Sequence, residues 1–234
     1  KESKDANKLI EEFMLLANRT VAEFVATGCK GVGDATAKGR RQAKTFVYRV
    51  HEKPDTEKMM DLKVYLSNFG IKLKGNPDNI HSKTLADIIS QIEDKPYESI
   101  VNRVMLRTMK KAYYSTECDG HFGLAFRYYC HFTSPIRRYP DLIIHRIIKE
   151  SITGRMTEEK LEKYRADAIN AAEISSQTER QAQELERDVH KMKKAEYMLN
   201  FIGEEFDGIV SGMTDVGVYV ELPNTIEGMA FARD

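Results

Sequence analysis

The stretch His131 to Arg146, HFTSPIRRYPDLIIHR, constrains this chain more than any other, because a serine and a proline stand directly ahead of an apolar run. A serine side chain caps unpaired N–H groups at a helix start, and proline has no N–H to lose in the first turn. Ser134 is therefore expected to cap a helix, with Pro135 in its first turn. The unpaired N–H groups then face outward at the positive end of the helix dipole, with Arg137 and Arg138 beside them. That is an anion site. Phosphate suits it, since a guanidinium holds phosphate oxygens through paired, charge-assisted hydrogen bonds. Arg137, Asp141 and His145 follow at i, i+4 and i+8, so they share a face on which Asp141 is placed to orient Arg137. The same spacing also suits an exposed salt bridge of little consequence.

Upstream, Leu9, Ile10, Phe13, Met14, Ala17, Val21 and Phe24 recur at helical spacing and predict an amphipathic helix that buries one apolar face. On that helix Glu12 lies in a stripe with Leu16, Arg19 and Glu23, whereas Glu11 lies with Leu15, Asn18 and Ala22 beside the apolar face. Glu11 is thus expected to be the more enclosed carboxylate. It could accept a hydrogen bond from a ribose 2′-hydroxyl, or simply edge the core. Residues 26–44, ATGCKGVGDATAKGRRQAK, read as a mobile basic loop, either a solvated linker or, through Arg40 and Arg41, a contact to a polyanion.

TFVYRV alternates apolar and polar residues and predicts a strand. Helices are expected in TEKMMDLKVYLSNFG, with Gly70 as its stop, in SKTLADIISQIE and in YESIVNRVMLRTMKKAYY. The aromatic run GHFGLAFRYYCHF suits short strands. Thr157 is placed to cap a long charged helix that ends near Gly203. The remainder, EEFDGIVSGMTDVGVYVELPNTIEGMAFARD, alternates in short blocks broken by glycine and Pro-Asn, the pattern of a small antiparallel barrel.

With 234 residues, 41% hydrophobic and 31% charged, the chain can bury one large domain or one domain and part of another. Its net charge of zero removes global basicity as a sign of a polyanionic partner without excluding a local basic patch. No apolar run approaches the length of a membrane span, and the first residues carry neither a signal-peptide core nor an initiator Met, as in an excerpt. Three cysteines, Cys29, Cys118 and Cys130, argue for a reducing, cytoplasmic setting. Cys118, His121, Cys130 and His131 hold the letters of a zinc site, but their spacing fits no common metal pattern.

His121-Phe122-Gly123-Leu124, then Tyr129, then HFTSPIRRYPDLIIHR, together with LIEEFMLLAN, VYRVHEKP and ERDV, resemble the signature of the RNB exoribonuclease superfamily. SPIRRYPDL with Pro140 is of the bacterial RNase R type. The resemblance implies an α+β fold: residues 1–202 as the helix-rich C-terminal part of an RNB catalytic domain, and residues 203–234 as the start of an OB-type RNA-binding barrel. It also implies magnesium-dependent hydrolysis of RNA from a single-stranded 3′ end to nucleoside 5′-monophosphates, by a monomer, without DNA or membrane as partner.

The family's metal-binding aspartate cluster is not in this sequence, where no two aspartates stand within two positions of each other, so no metal ligand is expected here and the chain alone is expected to be inactive. By the same resemblance Arg137 matches the phosphate-positioning arginine. Ser134 and Arg138 stand beside it on RNA, Glu11 matches a contact to the terminal sugar and Glu186 an RNA-proximal position. Tyr219 sits where the family stacks a base, although Val216 replaces a second aromatic there. The other reading is a non-catalytic RNA-binding module on the same fold.

Overall fold

The computed structural model describes residues 4–27, 45–73, 75, 76, 78 and 80–232. Most of the basic segment, with Cys29, Arg40 and Arg41, lies outside the described residues. Two compact units divide at Thr178 and Glu179.

The first unit is built around a short antiparallel pair, β1 (Tyr48–Val50) with β2 (Tyr113–Ser115), in which Arg49 faces Tyr114. Every residue of β1 is buried, so it is an interior strand and not the half-exposed one its alternation suggested. Arg49 tolerates this because its guanidinium lies 4.6 Å from the Tyr114 ring centroid, where the π face offsets part of its desolvation. Around the pair pack Ala22 and Val25 of α1 (Asp5–Thr27), Ile143, Ile144 and Ile147 of α5 (Tyr139–Ile152), and Ala168, Ala171 and Ala172 of α6 (Glu158–Met198).

A second core joins α2 (Thr56–Ser67), α3 (Ser82–Ile92) and α4 (Glu98–Thr108) through Leu62, Leu66, Ile88, Ile92 and Val101. Gly70 ends α2 as expected. At φ 73° it lets its own N–H reach Ser67 O and the Ile71 N–H reach Leu66 O, a pair of bonds that closes the last turn.

Several expectations are corrected. The apolar stripe of α1 is only partly covered: Leu9, Ile10, Phe13 and Phe24 are exposed, Met14, Ala17 and Val21 are half-buried, and the buried face carries Asn18, Ala22, Val25 and Ala26. The helix expected to run to Tyr114 stops at Thr108, because Tyr113 and Tyr114 are taken into β2 by pairing with β1. The aromatic run after Gly120 forms no regular strand; it makes isolated bridges from His121 to His51 and Phe126 and a 3-10 turn at Phe122–Leu124.

α6 begins as expected, with the Lys160 N–H donating to Thr157 Oγ1 at 3.3 Å. Its 41 residues give it a length of about 60 Å. The boundary between units falls inside this helix, so its last turns group with the sheet. In the second unit β3 (Ile209–Thr214), β4 (Gly217–Glu221) and β5 (Glu227–Phe231) form an antiparallel meander with a bulge between Val210 and Gly212. The Lys194 ammonium donates to Thr225 O at 2.7 Å and ties the helix to the β4–β5 connection. Gly217 is required where it stands, since a Cβ there would lie 2.4 Å from Ala230 O. Among the described residues no helix is long and apolar enough to cross a membrane.

Candidate nucleic-acid interface

The segment ahead of α5 is not a serine-capped helix start. Ser134 opens a separate turn, its carbonyl accepting from the N–H groups of Arg137 at 3.3 Å and Arg138 at 3.0 Å. Arg138 is the N-cap of α5, and Pro140, not Pro135, occupies the first turn. The reason lies in Pro140. Inside a helix a proline has no N–H to donate and its ring clashes with the carbonyl four residues back, so Pro140 fits only a first turn. The chain opens at Arg138, extended at φ −127° and ψ 114°, and a new helix starts at Tyr139.

Asp141 is the third helical residue and is fully buried. Its Oδ2 accepts from Ser134 N at 2.8 Å, Arg138 Nε at 3.1 Å and Arg138 Nη2 at 2.7 Å. The carboxylate therefore orients Arg138, not Arg137 as i, i+4 spacing suggested. Arg137 is exposed, and among the described residues its guanidinium has no ion-pair or hydrogen-bond partner. His145 likewise leaves the expected face: its Nε2 meets Phe132 O at 2.9 Å and its ring stacks on Phe132 at 4.0 Å.

The backbone leading into the turn is held by α1. Asn18, buried, accepts from Phe132 N at 2.9 Å through Oδ1 and donates to Tyr129 OH at 3.3 Å through Nδ2. Next to it, His131 Nδ1 lies 2.9 Å from Tyr114 OH. Burial, and then the positive charges of Arg138, Arg49, His121 and Arg137, push the His131 pKa down to about 3, so the ring is neutral at pH 7. His121 is lowered to about 4, first by burial and then by His51 and Arg49. Cys130 is buried and its thiol pKa raised, chiefly by burial; it donates to Asn18 O at 3.2 Å. Burial is thus the larger cause of the neutral His131 ring, and three guanidinium groups add to it.

The expected site residues fall into three places. Ser134, Arg137 and Arg138 share the turn. Glu11 is on α1 and is exposed, as is Glu12, so it is not enclosed by its own helix. It does share the face of Asn18, seven residues and about 10 Å along the helix. Glu186, exposed on α6, and Tyr219 of β4 belong to the second unit. Tyr219 lines a groove of about 740 Å³ with Lys191, Lys194, Met198 and Met229. Sequence reasoning missed Arg49, Asn18 and His131. The signal for Arg49 was a cation in the middle of an otherwise interior strand. Asn18 was visible as a polar residue on the Glu11 stripe. Nothing along the chain announced that His131 would be neutral.

Among the described residues no group of three or more His, Cys, Asp or Glu side chains could hold a metal ion, so the residues present do not fit a catalytic magnesium site.

A helix-rich α+β unit thus presents an exposed arginine at the start of one helix, beside Arg138 paired with the buried Asp141. A family model described as the RNB domain matches residues 1–154, and the chain belongs to that family. It is 41% identical over 225 residues to Ribonuclease R 1 of Lactococcus lactis, covering 96% of this chain and 26% of that protein. The structure of Mycoplasma genitalium RNase R in complex with ribose-methylated single-stranded RNA is similar, with TM-score 0.85 and 28% identity over 98% of this chain and 34% of that one. Yeast Ssd1, a pseudonuclease, shares the fold with TM-score 0.73 at 23% identity, over 98% of this chain and 27% of that one. The chain therefore spans about a quarter to a third of the relatives it matches.

Proposed function

We propose that this chain is the RNA-positioning part of a hydrolytic 3′-to-5′ exoribonuclease that works as a cytoplasmic monomer on single-stranded RNA ends and releases nucleoside 5′-monophosphates. The observation that carries the reading is the exposed Arg137 guanidinium, without an ion-pair partner among the described residues and beside a neighbour locked onto Asp141. RNA bound to the similar Mycoplasma protein supports the ligand class. Arg137 meets the scissile phosphate, where its planar fork matches charge that grows on the phosphoryl oxygens as the bond breaks. Glu11 accepts from the terminal ribose, and Tyr219, with Lys191 and Lys194 in its groove, stacks a base. Glu186 lies along the RNA path. Magnesium would supply an activated water in the whole protein, and no group suited to hold it occurs among the described residues.

The test uses the full-length protein with RNA labelled at its 5′ end and unpaired at its 3′ end. Magnesium-dependent shortening from the 3′ end, with 5′-monophosphates as product, is expected. A second reading, an RNA-binding module without chemistry, is favoured by the pseudonuclease that shares this fold. Tight RNA binding by the full-length protein without cleavage would establish that reading instead.

A further inference from the structure

Arg137 projects from a turn that its central side chains do not hold down: the neighbouring Ile136 is 102% exposed and Arg137 is exposed with it. Yet a guanidinium that contributes to a transition state has to be held in one direction, because a donor misplaced by about 1 Å loses much of its effect on rate. What fixes the turn is a single oxygen. Asp141 Oδ2 accepts from the backbone N–H of Ser134, the first residue of the turn, and from the side chain of Arg138, the last. Ser134 O closes the same loop by accepting the N–H groups of Arg137 and Arg138. Asp141 in turn is rigid, being fully buried one turn ahead of Ile144 in a helix whose Ile143, Ile144 and Ile147 are core residues.

We infer that Asp141 is a positioning residue, whose buried carboxylate clamps both ends of the Ser134–Arg138 turn and thereby fixes the direction in which Arg137 meets a phosphate. The inference rests on the reading of Arg137 given above. It also assigns Arg138 a different part from its neighbour: its guanidinium is taken up by the buried Asp141 side chain through Nε and Nη2, and only its remaining N–H groups are open to RNA. The second oxygen of Asp141, Oδ1, is buried and has no hydrogen-bond partner among the described residues, so the interaction seen runs through Oδ2. The geometry is consequently sensitive to a change that keeps size but removes charge.

The experiment is a double-mutant cycle in the full-length protein, read as single-turnover cleavage rate and, separately, as the dissociation constant for RNA in the absence of magnesium. Asp141→Asn should slow cleavage by about tenfold or more while changing RNA affinity by less than about threefold, since one contact among many is disturbed. In an Arg137→Lys background the same change should cost less than about twofold, because groups that act through one another are not additive. Asp141→Glu keeps the charge but displaces it by one methylene. It should show the same non-additivity, and serves if Asp141→Asn does not fold by circular dichroism. Losses that simply multiply in the double variants, or an Asp141→Asn variant as fast as the parent, overturn the inference. A parent protein that binds RNA and does not cleave it overturns instead the nuclease reading on which the inference rests.

Discussion

At the scale of single residues, Arg137 and Arg138 are chemically the same and structurally different. One is held by Asp141 at 2.7 Å and the other is exposed and unpaired. Arg137→Lys keeps a charge and loses the fork, so turnover of the full-length protein should fall by about a hundredfold to a thousandfold with RNA affinity changed by less than about tenfold. Single-turnover kinetics beside a binding titration separate the two; an unaltered rate would remove Arg137 from the reaction. Arg138→Lys is not a silent control, since it disturbs the Asp141 contact, and should give a smaller loss.

His131 offers a test independent of RNA. Its pKa is depressed to about 3 in the folded protein against about 6.5 when free, so the unfolded chain takes up the proton first. Stability is then level above about pH 6.5 and falls as pH drops toward 3. Urea midpoints at about pH 7 and about pH 4.5 should differ more in the parent than in His131→Gln, because glutamine has no proton to gain. Equal differences would show that burial and the arginines do not hold this ring neutral.

At the scale of elements, the site depends on how α1 meets the segment before α5. Asn18 is the only side chain of α1 that both Phe132 N and Tyr129 OH use among the hydrogen bonds described here. Asn18→Ala leaves the Phe132 N–H without its partner at a part-buried position and should lower stability by about 1–3 kcal/mol. Urea denaturation reads this directly, and a change below about 0.5 kcal/mol would mean that α1 is not fastened there. The α1 residues Leu9, Ile10 and Phe13 contribute little to that fastening, exposed as they are.

At the scale of the molecule, this chain contains the arginine turn and no cluster of carboxylates, among its described residues, suited to metal ions. Phosphodiester hydrolysis of the proposed kind needs metal-bound water and a neutralised leaving group. The purified chain should therefore release no mononucleotide from single-stranded RNA in the presence of magnesium, while the full-length protein does. Release by the chain alone at a rate near that of the full-length protein would place the chemistry within these residues. Tyr219→Ala should weaken RNA binding by about 1–3 kcal/mol without altering its salt dependence, since stacking involves no counterion release.

Local chemistry made several helix boundaries legible, though not the end of α4 or the start of α5. Gly70 stops α2, Thr157 starts α6 and the i, i+3, i+4 pattern marks α3, because capping and backbone freedom act over a few residues. The same locality made a pair of arginines just ahead of a helix start legible at His131–Arg146. Which arginine is free was not legible. That depends on Pro140 breaking the expected helix and on Asp141 being buried beneath the turn, and burial is a property of what α1, β1 and α6 pack against α5. Glu11 and the apolar face of α1 were misread for the same reason: periodicity says that a helix has two faces, and only the neighbours decide which is covered. Sequence by itself determined most of the helices, the family signature and the cations gathered ahead of α5, all consequences of short-range geometry. The tertiary structure alone decided that Asp141 holds Arg138, that Asn18 fastens the turn and that His131 stays neutral, because each rests on desolvation by residues distant in the chain.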